Sequence, residues 1–265
     1  MTSAPLGKKE KTRGEIGMSK KLLVVGLFAL ASLATAQKVK TKAEAEAVNA
    51  VLQAQNPDAK IAAAENLVSK FKDTEFKSIA WLQAGQAAQQ KNDAVNALIY
   101  GDRSLQADAK NYQAMLLVAG VLAQGTKEFD FDKDEKLNRA TKLSNDAIAA
   151  LGTATKPNPQ LPDDQWTAIK KDMIGEAHGT LAMIAMVNKK YDAAIAEYNT
   201  ALTSASSPDP VTMVRLGSAQ IDAGKFDEGT ATLSKVLAMS GLPDQVTKAA
   251  AAEKSRAEKM KAAKK

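Results

Sequence analysis

The chain has no cysteine and a single histidine among its 265 residues. The first absence rules out disulfide bracing, and the two together leave no ligand set for a zinc site. Aromatic residues make up only 5 %, which suits helices packed through alanine and leucine better than a sheet core. No nucleophile elbow, phosphate-binding loop, dinucleotide glycine pattern or two-histidine metal motif occurs, so the sequence points to no enzymatic reaction and to no cofactor. Nor is there a basic body. The formal charge is +6, but residues 1–36 carry +4 and residues 248–265 carry +5, which leaves about −3 between them. The high pI belongs to the two ends and does not indicate nucleic-acid binding.

Long apolar runs are scarce, and the one near the N-terminus has a recognisable setting. Lys20-Lys21 precede about twelve mostly apolar residues from Leu22 to Leu33, followed by Ala34-Thr35-Ala36-Gln37. A basic start, a short apolar stretch and an Ala-x-Ala end read as a secretory leader cleaved after Ala36, placing the protein in the bacterial periplasm. The alternative is an uncleaved leader anchored in the inner membrane, although the run falls short of the ~20 residues that span hydrocarbon comfortably. Residues 1–17 are polar and add nothing to such a leader, so Met18 is a candidate start as well as Met1. With no cysteine after the run, a lipid on the new N-terminus is excluded.

What the chain does have is small residues at a fixed spacing. Gly85, Ala97 and Ser104 stand twelve and then seven positions apart, as do Ala182, Ala194 and Ala201, and Gly217, Gly229 and Val236. Ala119, Ala140 and Ala147 keep the second interval but carry about nine extra residues in the first. Small side chains let antiparallel helices approach closely and let the next pair stack on them, so the spacing marks helical hairpins in series.

With Trp81 ahead of Gly85, Tyr191 and Phe226 in the turns Lys190-Tyr191-Asp192 and Lys225-Phe226-Asp227, and Asp108-Ala109-Lys110-Asn111 between units, this register resembles the tetratricopeptide family. The resemblance spans roughly residues 78–241. It departs from the family pattern where Ala94 replaces a turn aromatic, Ala109 a proline, and His178 and Met213 a tryptophan. It implies an all-α solenoid of stacked antiparallel helix pairs: about four units, a leading pair and a C-terminal capping helix. The expected divisions are a leader over 1–36, the repeat domain over 37–241, and a cap with a basic tail over 242–265.

Helix signals fit this scheme. Ala47, Val48, Val51 and Leu52 have helical spacing, and Asn56-Pro57-Asp58 reads as a cap opening the next helix. Asp132 with Glu135 reads as a capping box. Pro157, Pro159 and Pro162 keep 152–162 out of helix. A long helix then starts at Asp163, its first turns expected to pack on the insertion that precedes it. The final segment, from Asp244 to Lys265, reads as helical and mostly polar on all sides, a solvating cap that frays into a basic tail.

The remaining candidates for chemistry have plainer readings. Asp130, Asp132 and Asp134 alternate as in a calcium loop, but Glu135 and Thr141 stand where such a loop needs glycine and glutamate. His178, without a second histidine, reads as a partly buried packing residue, as do Trp81 and Trp166 in the core. Met173, Met183 and Met186 fit core filling before contact. The lysine-rich end offers at most peripheral, salt-sensitive contact with a membrane.

The resemblance also implies a partner, a protein or peptide, on the concave face. There the inner helix of each unit would present Ile79, Leu82, Gln86 and Gln89; Gln113, Leu116, Gly120 and Ala123; Glu176, Gly179, Met183 and Met186; and Val211, Val214, Ser218 and Ile221. None is basic, so the carboxylate grip of the family's chaperone-binding members is not expected. Leu82, Gln86, Gln89, Gln113, Leu116, Met183, Met186 and Ser218 are the candidate contacts, forming a neutral groove with amides at one end and apolar residues at the other. Alternatively, the leading helices or the 125–135 insertion fill part of it. The function implied is a non-enzymatic interaction scaffold; the alternative is an assembly or structural factor of the cell envelope.

Overall fold

The computed structural model describes residues 39–264, so the leader and its cleavage site lie outside the described residues. Eleven α-helices and no strand occur among them. They are α1 (Lys42–Gln53), α2 (Pro57–Lys70), α3 (Lys77–Gln90), α4 (Ala94–Ala107), α5 (Tyr112–Gly125), α6 (Lys133–Thr153), α7 (Asp163–Val187), α8 (Tyr191–Ser204), α9 (Pro210–Asp222), α10 (Phe226–Leu237) and α11 (Asp244–Ala263). Each helix packs on the next, and inner helices also touch at α1–α3, α3–α5, α5–α7 and α9–α11. That is a solenoid of helical hairpins, the architecture the small-residue spacing implies.

Local chemistry sets the helix starts. The side chains of Thr41, Asn56, Asp93, Asn111 and Asp209 each accept an amide of the first turn, satisfying a donor the helix cannot. The turns within hairpins need a left-handed residue, supplied by Asn92, Lys189 and Gly224 at φ 57°, 55° and 79°. The capping box forms elsewhere than expected. Asp132 makes no bond to its helix amides and instead meets Lys136 Nζ at 2.9 Å. At α1, by contrast, Thr41 accepts the Glu44 amide while Glu44 accepts the Lys40 amide at 2.7 Å.

The repeating small residues sit where hairpins close. A Cβ on Gly217 would stand 2.7 Å from Leu233, and one on Gly229 would stand 2.9 Å from the Gly217 carbonyl oxygen. Ala97, Ala119, Ala140, Ala182 and Ala194 are all fully buried, and Gly85 lies against Leu117 and the Ala97 carbonyl. Within the α3–α4 hairpin, Ser78 and Ser104 donate hydroxyls to each other's carbonyls at 3.0 and 2.8 Å. Gly175 approaches the Ala201 carbonyl at the matching place of the α7–α8 hairpin, two hairpins later. Val236, the large exception, is fully buried beside Val246 of α11.

Three expectations need correction. The start of α7 does not pack on the 125–135 insertion: Trp166 joins Leu151, Ala154 and Leu161, from the extended end of α6 and the following loop. The last helix, mostly polar as expected, nevertheless has one apolar stripe, Val246, Ala250 and Ala257, buried against α9 and α10. Trp81 is only half-buried, at the edge of the core: it packs against the buried Tyr100, ring centroids 5.6 Å apart, with the Arg103 guanidinium 4.9 Å above it. Trp166 is core as expected.

Candidate functional site: the concave face

The concave face divides into a closed C-terminal end and an open middle. At the closed end Val211, Val214 and Ile221 of α9 are buried. Ser218 is half-covered by α11, whose Arg256 donates to its hydroxyl at 3.3 Å and pairs with Asp222 and Glu253 at 2.7 and 2.6 Å. What fills this end is therefore the final helix, not the leading pair or the insertion. Leu82 and Leu116 are 1 % and 3 % exposed, packed within the core, and are not surface contacts.

The remaining candidates, Gln86, Gln89, Gln113, Met183 and Met186, are half-buried on α3, α5 and α7. Gln83 donates its amide to Gln86 at 2.9 Å, and Lys60 reaches Gln83 from α2 at 3.4 Å, so the amide end is partly organised by the chain itself. Between the amides and the methionines lie Gly120 and Gly179. Both are buried, yet a Cβ built on either would meet nothing within 4 Å. Unlike Gly85 or Gly217, packing does not require them, and each costs its helix about 0.5–1 kcal/mol relative to alanine. Their effect is a low groove floor over which another chain can pass.

Glu176 shares its face of α7 with Gly179 and Met183, one and two turns along. The residue keeps partial exposure. Its carboxylate has no hydrogen-bond or ion-pair partner among the described residues, and burial pushes it up to about 7. Met173 and Ala177, its neighbours on α7, pack in one cluster with Leu116, one turn from Gly120. An unpaired carboxylate thus stands beside the open floor. Spacing from the resemblance places Glu176 on this face, but only the missing partner distinguishes it from Gln113 or Met183.

His178 is half-buried as expected, but not merely packed: its Nδ1 lies 2.7 Å from Glu197 of α8. The aspartates of the insertion are each engaged nearby, Asp130 by the Lys127 amide, Asp132 by Lys136 and Asp134 by Lys133. No group of three or more metal-ligating side chains occurs among the described residues. Tyr191 and Phe226 occupy the expected turns; Phe226 is buried under Lys264, and Tyr191 lines a cleft.

No family model matches the chain, and no curated protein does. Solved structures do. A thermophilic TPR protein of Thermus thermophilus superposes with a TM-score of 0.53 over 74 % of this chain and 90 % of its own, at 15 % identity. An assembly chaperone of RpL4 reaches 0.40 over 79 % and 94 % at 14 % identity. A tetratricopeptide repeat protein of Parabacteroides merdae reaches 0.38 over 88 % and 93 % at 15 % identity. At these identities the Thermus structure speaks for the fold alone, and the fold agrees with the register, the turns and the buried small residues described above: the chain has a helical-repeat fold of the tetratricopeptide type.

Proposed function

We propose that the protein is a non-catalytic, exported scaffold that holds an extended segment of a partner protein across α3, α5 and α7, with a cationic side chain of that segment against Glu176. The carrying observation is the unpaired, part-buried carboxylate beside two glycines that leave the groove floor open. A lysine or arginine supplies the missing partner, and the half-buried amides and methionines supply tolerant contacts along the rest. The leader sequence supports export to the periplasm. The envelope-factor alternative draws less support: of the basic residues at the end, Arg256 and Lys261 are committed to Asp222 and Asp227, and Lys264 lies over Phe226. No helix among the described residues is long and apolar enough to cross a membrane.

The test places a photo-crosslinking residue at Met183 or Gln86 of the full chain in its native host, with exposed Val95 of α4 as the control position. Partners captured from the groove but not from Val95, and lost in Glu176→Gln, support the reading. Equal capture from both faces, or capture indifferent to Glu176, overturns it. Sequencing the N-terminus of the exported protein checks cleavage before Gln37.

A further inference from the structure

The insertion between α5 and α6 presents two phenylalanines to solvent. Phe129 and Phe131 are 91 % and 107 % exposed, in a chain that has only six phenylalanines. A bare aromatic pair on a water-facing surface marks a contact site. The loop holding them is built, not slack. Thr126 is buried and donates its hydroxyl to the Leu122 carbonyl at 2.7 Å; Asp130 accepts the Lys127 amide at 2.9 Å; and the Lys133 amide donates to the Asp130 carbonyl at 3.1 Å. Glu128 pairs with Lys189 at 2.6 Å, which moors the loop to the α7–α8 turn.

Beside that mooring point is an open cleft of ≈ 510 Å³ between the α7–α8 turn and the end of α9. Tyr191, Ala193 and Ala223 give it apolar walls; of its charged lining, Lys189 is paired with Glu128, Asp192 with Lys225 and Asp222 with Arg256. Lys190 has no ion-pair partner among the described residues. The loop is opposite in sign to that free cation: five carboxylates against three lysines over residues 127–136. Each surface therefore suits the other, yet the loop's own phenylalanines stay in solvent.

We infer that a second copy of this chain is the occupant: Phe129 and Phe131 of each protomer enter the cleft of the other about a two-fold axis. Adjacency is what makes this geometry available. Because knob and cleft sit side by side on one edge, a single axis beside them brings both knob–cleft contacts together and closes the assembly. Four phenylalanines bury roughly 600–1,000 Å² between them. That lies near the lower bound of about 1,000 Å² for a specific interface, so the dimer is a weak one in the micromolar range. A bilayer is the poorer occupant, since the net negative loop is repelled by anionic headgroups.

Sedimentation of the full chain over a micromolar concentration series tests the inference. The expected result is a concentration-dependent dimer whose dissociation constant rises at least about tenfold in Phe129→Ser/Phe131→Ser, with an unchanged helical spectrum. Lys190→Glu weakens the dimer as well, and pairing it with Asp132→Lys restores it. A photo-crosslinker at Phe131, mixed with isotope-labelled protein, yields intermolecular products at the Tyr191–Ala193 stretch. A monomer at every concentration, a dimer indifferent to both phenylalanines, or retention on lipid vesicles without self-association would each overturn it.

Discussion

The closed C-terminal end, α9 to α11, and the open middle, α5 to α7, follow one register but use glycine in opposite ways. At the end, Gly217 and Gly229 are required by contact, for neighbouring atoms stand 2.7–2.9 Å from where a Cβ would go. In the middle, Gly120 and Gly179 have empty space above them. The same contrast holds for polar groups: Ser218 is covered by Arg256, whereas Glu176 has no partner among the described residues. It holds for the turns as well. Gly224 closes a short one, while the α5–α6 turn has grown by the insertion that carries Phe129 and Phe131. Where Ala119 and Ala140 meet, both are still fully buried despite the added residues. Helix contact is thus constrained, and turn length and inner-face chemistry are free to carry function.

The largest expected effect attacks the contact half of this contrast. Gly229→Val forces side-chain atoms into Ile221 and the Gly217 carbonyl, and overpacking of this kind costs about 3 kcal/mol. Premature melting of helix, followed by circular dichroism, measures it. The matched change in the middle, Gly179→Ala, meets no atom and instead stabilises by about 0.5–1 kcal/mol, since alanine is the better helix former. If both variants lost stability alike, the two glycine pairs would be playing one structural part and the open floor would have no separate meaning.

The repeat architecture is legible in the sequence because it is written in residues that must be small. Gly217 and Gly229 have no room for a side chain at their contacts, Gly85 has little, and Asn56-Pro57 and Asp209-Pro210 announce helix starts by local bonding alone. The groove is harder to read. A helical period says which face a residue is on, but not what the next helix places over it. Leu82 and Leu116 therefore read as surface though they are core, and Ser218 reads as free although α11 lies on it. The capping box at Asp132 fails for a related reason: a lysine stands one turn along, and the ion pair with Lys136 wins over the amide. Glu176 and the Phe-Asp-Phe loop matter through what is missing around them, which a sequence does not display.

A second, smaller effect separates the middle from the end by pH. The Glu176 carboxyl ordinarily titrates at 4.5, and burial raises it to about 7 in the folded chain. The native state then holds the proton more tightly than the unfolded chain does. The contribution is complete below about pH 4.5 and disappears as pH climbs through 7. From pH 5 to pH 8 the protein loses stability on the order of 1–3 kcal/mol. Glu176→Gln removes that slope, matching the wild type at pH 5 and exceeding it at pH 8 in denaturant titrations. A cationic partner seated on Glu176 flattens the slope by stabilising the pH 8 end, because it favours the charged form. The same titration in the presence of a bound partner therefore distinguishes a groove that awaits a cation from a carboxyl that is merely buried.

The smallest effect concerns pairs that recur along the outside. Carboxylates in the first turns of α2, α8 and α10 reach cations of the following unit: Asp58 to Lys91, Asp192 to Lys225, and Asp227 to Lys261. These pairs repeat with the architecture and look like fasteners, yet their carboxylates are about four-fifths exposed. Water screens such pairs, and holding two long side chains in place offsets much of what attraction remains. In Lys225→Ala, melting is accordingly expected to be indistinguishable from wild type at ordinary salt. A measurable loss there, comparable to that in Gly229→Val, would move the origin of stacking from the buried small residues to the charged exterior. Equal melting would leave the ladder as a consequence of the stack, with Gly229 and its neighbours as the cause.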